Sequence, residues 1–151
     1  MNKAARLACG AVIAALAATA SAQDVKPERA IKYRQGILQA IGWDMGPMAA
    51  MVKGEKPFDK DEFLKRATWV SELAPMAWEG FTPGSDQGAP TKAKPEIWKD
   101  MAKFKQYQEA MQAASLKLVA AAKTGTLDAV KGPFGDLGKT CSNCHDDFRA
   151  K

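Results

Sequence analysis

Seven residues spaced three and four apart, Ile31, Arg34, Leu38, Ile41, Met45, Met48 and Val52, fall on one face of a helix, and all but Arg34 are apolar. A stripe of that length commits the segment from about Pro27 to Val52 to a helix that must bury one side. Pro27 suits its first turn, Gly54 stands just past its end, and Gly42, Gly46 and Pro47 are expected to bend its middle. A second helix is marked by Asp59 with Glu62 three residues on, a capping-box pattern, and by Phe58 and Phe63 at staple positions. It continues through Ala67, Val70, Ala74 and Ala77, with Pro75 disturbing its last turn. From Gly80 to Lys94 glycines, prolines and small polar residues read as a long connection.

A third helix is expected from Pro95 to about Thr124, burying Ile97, Met101, Phe104, Met111, Leu118 and Ala122, with Gly125 to end it. The fourth is expected from about Thr126 to Ala150, with a kink or separate turn at Gly132 and Pro133. Phe134, Leu137, Cys141, Cys144 and Phe148 continue the same spacing along it, which turns both cysteines toward the core. No apolar/polar alternation marks a strand. The expected fold is all-α, an antiparallel up-down-up-down four-helix bundle with two short connections and one long one.

Ahead of the bundle, Lys3 and Arg6 precede an apolar run from Leu7 to Ala18 that ends in Thr19-Ala20-Ser21-Ala22. That order reads as a secretory signal peptide over residues 1–22, cleaved near Ala22/Gln23, with a single domain over 23–151. The run is too short to span a bilayer, so the mature chain is expected to be exported to the periplasm without membrane insertion. Cys9 stands near the start of the apolar run rather than after it, where a lipid-acceptor cysteine would be expected. The formal charge of +5 includes the leader's two basic residues, and the remaining cations are scattered, so nucleic acid is not implied as a partner.

Removing the leader leaves two cysteines, in Cys141-Ser142-Asn143-Cys144-His145. In Cys-x-x-Cys-His the two sulfurs can form thioethers with haem vinyl groups while the adjacent imidazole ligates the iron. A zinc site would want four protein ligands, and a thioredoxin-like pair belongs at the start of a helix after a strand. A plain disulfide beside an incidental histidine is the other alternative. One haem c per chain is therefore expected, covalent through Cys141 and Cys144, with His145 as the metal ligand. His145 is the only histidine, so bis-histidine ligation within one chain is excluded, leaving methionine, another side chain or an open sixth position.

Arg34, a charge in an apolar stripe, needs a partner, and a haem propionate would serve. Leu38, one turn or about 5.4 Å further along, would then stand near the sixth position. Met45 lies about 10 Å beyond Leu38 and returns as a candidate ligand only if the stripe is misregistered. Met48 is further still, and both methionines also suit pliable core filling. Arg149, four residues after His145, would share its side of the helix, although an arginine there also suits a helix C-terminus.

Taken together, Tyr33-Arg34-Gln35, the Trp78 to Gly84 segment, Pro95-Glu96-Ile97-Trp98 and Cys141 to Arg149 resemble cytochrome c′, the four-helix class II c-type cytochromes. The resemblance covers nearly the whole mature chain. It implies a homodimer made through the first two helices and a five-coordinate, high-spin haem with His145 proximal and Leu38 closing the distal side. It further implies binding of NO and CO but little O₂, with NO able to displace the histidine, and a role for Arg149 beside it. Two other functions stay open: a low-spin electron carrier resembling cytochromes c556 with a methionine sixth ligand, and a slow NO-reducing enzyme. Ile37 and Leu38, where a methionine would favour the carrier, weigh against the first. The lack of a second histidine, a distal acid or a second redox centre weighs against the second. The redox donor is not identifiable from the residues.

Overall fold

The computed structural model describes residues 25–151; the expected signal peptide, its cleavage site and Cys9 lie outside them. Helix α1 runs Pro27–Lys53 and stops at Gly54, whose φ of 78° lets its N–H turn back onto the Ala50 and Met51 carbonyls. Neither Gly42, Gly46 nor Pro47 interrupts it. Helix α2 runs Lys60–Met76. The Asp59 carboxylate caps it, accepting the Asp61 and Glu62 amides at 3.0 and 2.9 Å, and the Phe58 and Phe63 rings meet 5.6 Å apart as a staple would place them. Beyond Pro75 the chain tightens into a single 3₁₀ turn, Ala77–Gly80.

The expected third helix is two helices. A single turn, α3 (Glu96–Lys99), is followed by α4 (Met101–Ala122), because Asp100 leaves helical geometry at φ −130°, ψ 61° and uses its carboxylate to cap α4 at the Lys103 amide. The last helix departs from expectation in the other direction. α5 runs unbroken from Leu127 to Phe148 with Pro133 inside it. Pro133 has no N–H to donate, so the helix continues through it one hydrogen bond short. Its end comes early: Arg149 is extended and pairs with Ala93 in an antiparallel bridge.

Helices α1, α2, α4 and α5 form the four-helix bundle. α4 packs broadly on α2 and α5, and α1 on α2, while α1 and α5 touch only sparsely. The main core is built from buried Ile41, Met48, Met51, Phe63, Val70, Leu118, Val130 and Leu137. A second core at one end centres on Ile97, Phe104 and Phe148, ringed by Trp78, Phe81, Trp98 and Tyr107. Phe104 joins its parts, edge-on to Trp78 at 5.7 Å and to Phe148 at 5.4 Å. Among the described residues no helix is long and apolar enough to cross a membrane.

A polar seam ties α1 to α2. Arg66 donates to Glu62 at 2.9 Å and to the buried Asp44 of α1 at 3.0 Å, and Lys56 reaches the other Glu62 oxygen. The hydrogen bond from Lys56, then that from Arg66, holds the Glu62 carboxyl below its ordinary range. The folded-state value lies below the unfolded value of about 4.3, so the seam stabilises above that pH and loses its contribution as pH falls through the folded value. Glu62→Gln should therefore lower Tm at pH 7 and leave it nearly unchanged at about pH 2; thermal unfolding at both values decides, and an equal loss at each would rule out the charge network.

Gly80 marks the tightest contact between the 3₁₀ turn and α1. A Cβ there would stand 2.6 Å from the Arg34 Cβ and 2.8 Å from the Ala30 carbonyl oxygen. Backbone blocks relaxation on one side, so Gly80→Ala should cost about 1–3 kcal/mol in urea unfolding. An unchanged midpoint would mean that the turn can slide.

Candidate functional site

Between α1 and α5, where the bundle packs least, lies a cavity of ≈ 660 Å³, within the usual range for a cofactor pocket. Cys141, Cys144 and His145 line it together. Their spacing on one α5 face does this: positions three and four apart sit above one another, so two sulfurs and an imidazole reach one space. Neither sulfur is in a disulfide, and Cys141 Sγ donates to the Leu137 carbonyl at 3.5 Å. Burial raises the Cys141 thiol pKa and pushes that of Cys144 up to about 11, with Cys141 and Asp147 adding to the latter. Burial lowers the His145 pKa, the Arg149 charge lowers it further, and Asp146 opposes both. The imidazole is thus kept neutral, the form that ligates a metal.

The donor set and the walls both suit a haem. Two thiols and one neutral imidazole are what covalent attachment and ligation require. Gly42 on α1 and Gly138 on α5 leave bare backbone facing the space, where a Cβ would meet no other atom. Much of the remaining lining is apolar or aromatic: Leu38, Ile41 and Met45 from α1, Trp78 and Phe81, and Phe104 and Met111 from α4.

Arg34 lines the cavity but is committed elsewhere. At 2% exposure its Nη1 donates to Gly80 O at 2.9 Å and Ser85 Oγ at 2.8 Å, and its Nη2 to Ser85 O at 2.8 Å and Thr91 Oγ1 at 3.0 Å. Its guanidinium also stacks on the Phe81 ring at 4.7 Å. All four terminal N–H groups serve the 80–91 segment, leaving only Nε for the expected propionate. Burial lowers its pKa, and the Asp86 charge opposes that.

Leu38 lines the same cavity, partly buried against the main core. So does Met45, whereas Met48 is fully buried in the core and does not reach the space. Arg149 lines the cavity with His145: as the C-cap of α5 its amide donates to the His145 carbonyl at 3.0 Å, and the bridge to Ala93 holds it from the other side. The sequence reading missed Tyr107 and Met111 as cavity residues, along with Thr91, Lys92 and Ala93. Met111 was legible only as core, and Tyr107, one turn after Phe104, follows the same helix spacing. The 91–93 segment carries no periodic signal at all. Tyr107 donates to Asp147 at 2.6 Å, and Lys103 pairs with the same carboxylate oxygen at 2.7 Å, fastening α4 to the last turn of α5.

The sequence matches the family model of Cytochrome C′ over residues 29–149. It is 42% identical over 129 residues to cytochrome c′ of Alcaligenes xylosoxydans xylosoxydans, covering 85% of this chain and 99% of that one. The fold resembles the crystal structure of cytochrome c′ from Rubrivivax gelatinosus at a TM-score of 0.80 and 40% identity, covering 83% of this chain and 98% of that one. Nitric oxide complexes of mutants of cytochrome c prime from Alcaligenes xylosoxidans are similar at a TM-score of 0.78 and 41% identity, covering 84% of this chain and 98% of theirs.

Replacing Arg34 by methionine would keep much of its packing volume while stranding the carbonyls of Gly80 and Ser85. Arg34→Met should cost about 3 kcal/mol or more in chemical unfolding, since each buried group left unpaired costs about 1–3 kcal/mol. A loss below about 1 kcal/mol would mean that the segment finds other donors.

Proposed function

The chain belongs to the cytochrome c′ family, and from that premise we propose that it is a periplasmic mono-haem c-type cytochrome whose five-coordinate, high-spin iron binds NO and CO. A cleaved leader over residues 1–22 would export a single domain, 23–151. The observation that carries the reading is the convergence of Cys141, Cys144 and His145 on one cavity between α1 and α5. The haem, when bound, supplies an iron centre for one-electron chemistry and for diatomic ligands. Cys141 and Cys144 hold it through thioethers and His145 ligates it from the α5 side.

The remaining assignments concern what the protein's own groups do. Leu38 presents an apolar branch to the cavity from α1 and offers no hydrogen bond, which favours NO and CO over O₂. Arg149 places a positive charge beside His145 and disfavours a protonated imidazole. Arg34 keeps Nε for a propionate while its other donors hold the adjoining segment. On this reading the protein acts as a gas-binding and electron-transfer protein rather than an enzyme. Its redox donor is unidentified. Exposed Trp43 (78%) on α1 and Trp69 (44%) on α2 support the homodimer through these two helices.

One observation favours a second reading, the low-spin electron carrier: the thioethers of Met45 and Met111 line the same cavity. Optical spectra of the ferric and ferrous holoprotein, with and without CO and NO, separate the two. A high-spin spectrum that shifts with both gases supports the open iron; a low-spin spectrum unmoved by CO makes the protein a methionine-ligated carrier. Leu38→Ala should then speed CO binding by opening the α1 side. Unchanged CO kinetics in stopped-flow would remove Leu38 from that position.

A further inference from the structure

The two walls that face each other across the cavity, α1 and the last turn of α5, hardly touch. A relay of hydrogen bonds joins them through the extended segment 91–94, which forms a single β-bridge at Ala93. Arg34 Nη2 donates to Thr91 Oγ1 at 3.0 Å, and the same oxygen accepts the Ala93 amide at 3.1 Å. Ala93 pairs with Arg149 in the antiparallel bridge, which the Lys94 amide closes onto Phe148 O at 2.9 Å and the Ala150 amide onto Lys92 O at 2.8 Å. Lys94 Nζ adds Asp147 O at 3.0 Å and Asp146 O at 3.3 Å, so the segment collects carbonyls that the end of α5 would otherwise leave unpaired. Arg149 is where the two supports meet: its amide still closes the last turn of α5 on the His145 carbonyl at 3.0 Å, and its extended backbone at φ −115°, ψ 128° turns the chain into the bridge.

We propose that Arg34 is a positioning residue for Arg149, holding it beside His145 through Thr91 and the bridge at Ala93. Thr91 is the pivot because its one hydroxyl oxygen receives both the guanidinium and the Ala93 amide. In the 91–94 segment Lys92 is exposed and Ala93 alone packs against the end core of Ile97, Phe104 and Phe148. The place of the segment is set at one end by Arg34 and at the other by the bridge, so a fault at Arg34 or Thr91 is transmitted to Arg149 while the haem-bearing turn of α5, fastened separately by Lys103 and Tyr107 to Asp147, stays put. The consequence for the haem rests on the function proposed above; the mechanical link does not.

The test uses the holoprotein with Thr91→Val, Thr91→Ser and Arg149→Ala, singly and with the first and last combined. Valine keeps the shape and removes the acceptor, whereas serine restores it. Amide exchange at Lys94 and Ala150, read by NMR, should quicken about tenfold in Thr91→Val, the size expected of one lost buried hydrogen bond, and return towards wild type in Thr91→Ser. The midpoint potential and the ferrous NO spectrum should move in the direction given by Arg149→Ala, and adding Thr91→Val to Arg149→Ala should move them no further. Unchanged amide exchange overturns the proposal. So does faster exchange with an unaltered spectrum and potential, or strictly additive shifts in the double variant. A chain that takes up no haem would instead remove the proposed function, and the amide exchange would still decide whether Arg34 holds Arg149.

Discussion

A guanidinium buried to 2% exposure on an otherwise apolar helix face is the constraint on which the arrangement of the site depends. An unsatisfied ion there would cost several kcal/mol, and the 80–91 segment is shaped to prevent it. Its carbonyls and hydroxyls turn inward to Arg34 rather than outward to water, Ser85 is wholly buried, and Phe81 lies against the guanidinium plane. The turns this requires pass through Gly84 and Gly88 at φ 76° and 103°, in the region where a side chain would be strained. What begins as electrostatics on α1 therefore ends as the position of a cavity wall made by Phe81, Thr91 and Ala93.

The cavity of ≈ 660 Å³ opens to solvent between α1 and α5, within the size range of a cofactor pocket. The helices meet this by unequal packing. α4 is clasped between α2 and α5, and the aromatic cluster of Phe104, Phe148, Trp78 and Phe81 closes one end, so that α1 and α5 can stand apart without the bundle losing its register.

Helix periodicity made the bundle legible, because each long helix buries one stripe; the exception is Met101, expected in the core but 40% exposed, since the break at Asp100 makes it the first residue of α4. Two local contests were not legible. Asp100 breaks the third helix because its carboxylate gains more as a cap for α4 than in continued helix, a choice that depends on where α3 must lie. Pro133 is carried inside α5 at the loss of one hydrogen bond, an outcome that spacing along the helix does not reveal. At the site, Cys141, Cys144 and His145 were readable since their geometry is local to one helix. Arg34 was readable as a buried charge in need of partners, but not which partners, since these come from residues 46 to 57 positions away. Arg149 was placed beside His145 for a helical reason, and its amide does bond the His145 carbonyl; the second support, the bridge to Ala93, comes from a residue 56 positions away and was not readable.

The sixth position turns on what each methionine would give up. Met111 is 5% exposed within the main core and Met45 is packed against that core from α1. Drawing either thioether out to a metal would forfeit burial worth about 1.5–3 kcal/mol for a full side chain and open a void behind it. Leu38 gives up nothing by remaining where it is, with its branch in the cavity and its flank against the core. An open iron is thus the arrangement that leaves the packing of α1 and α4 intact, and methionine ligation requires a coordination bond strong enough to offset that repacking. Leu38 and Met45 belong to one apolar wall of α1, so the packing that keeps the methionine against the core is also the packing that sets the leucine in the cavity.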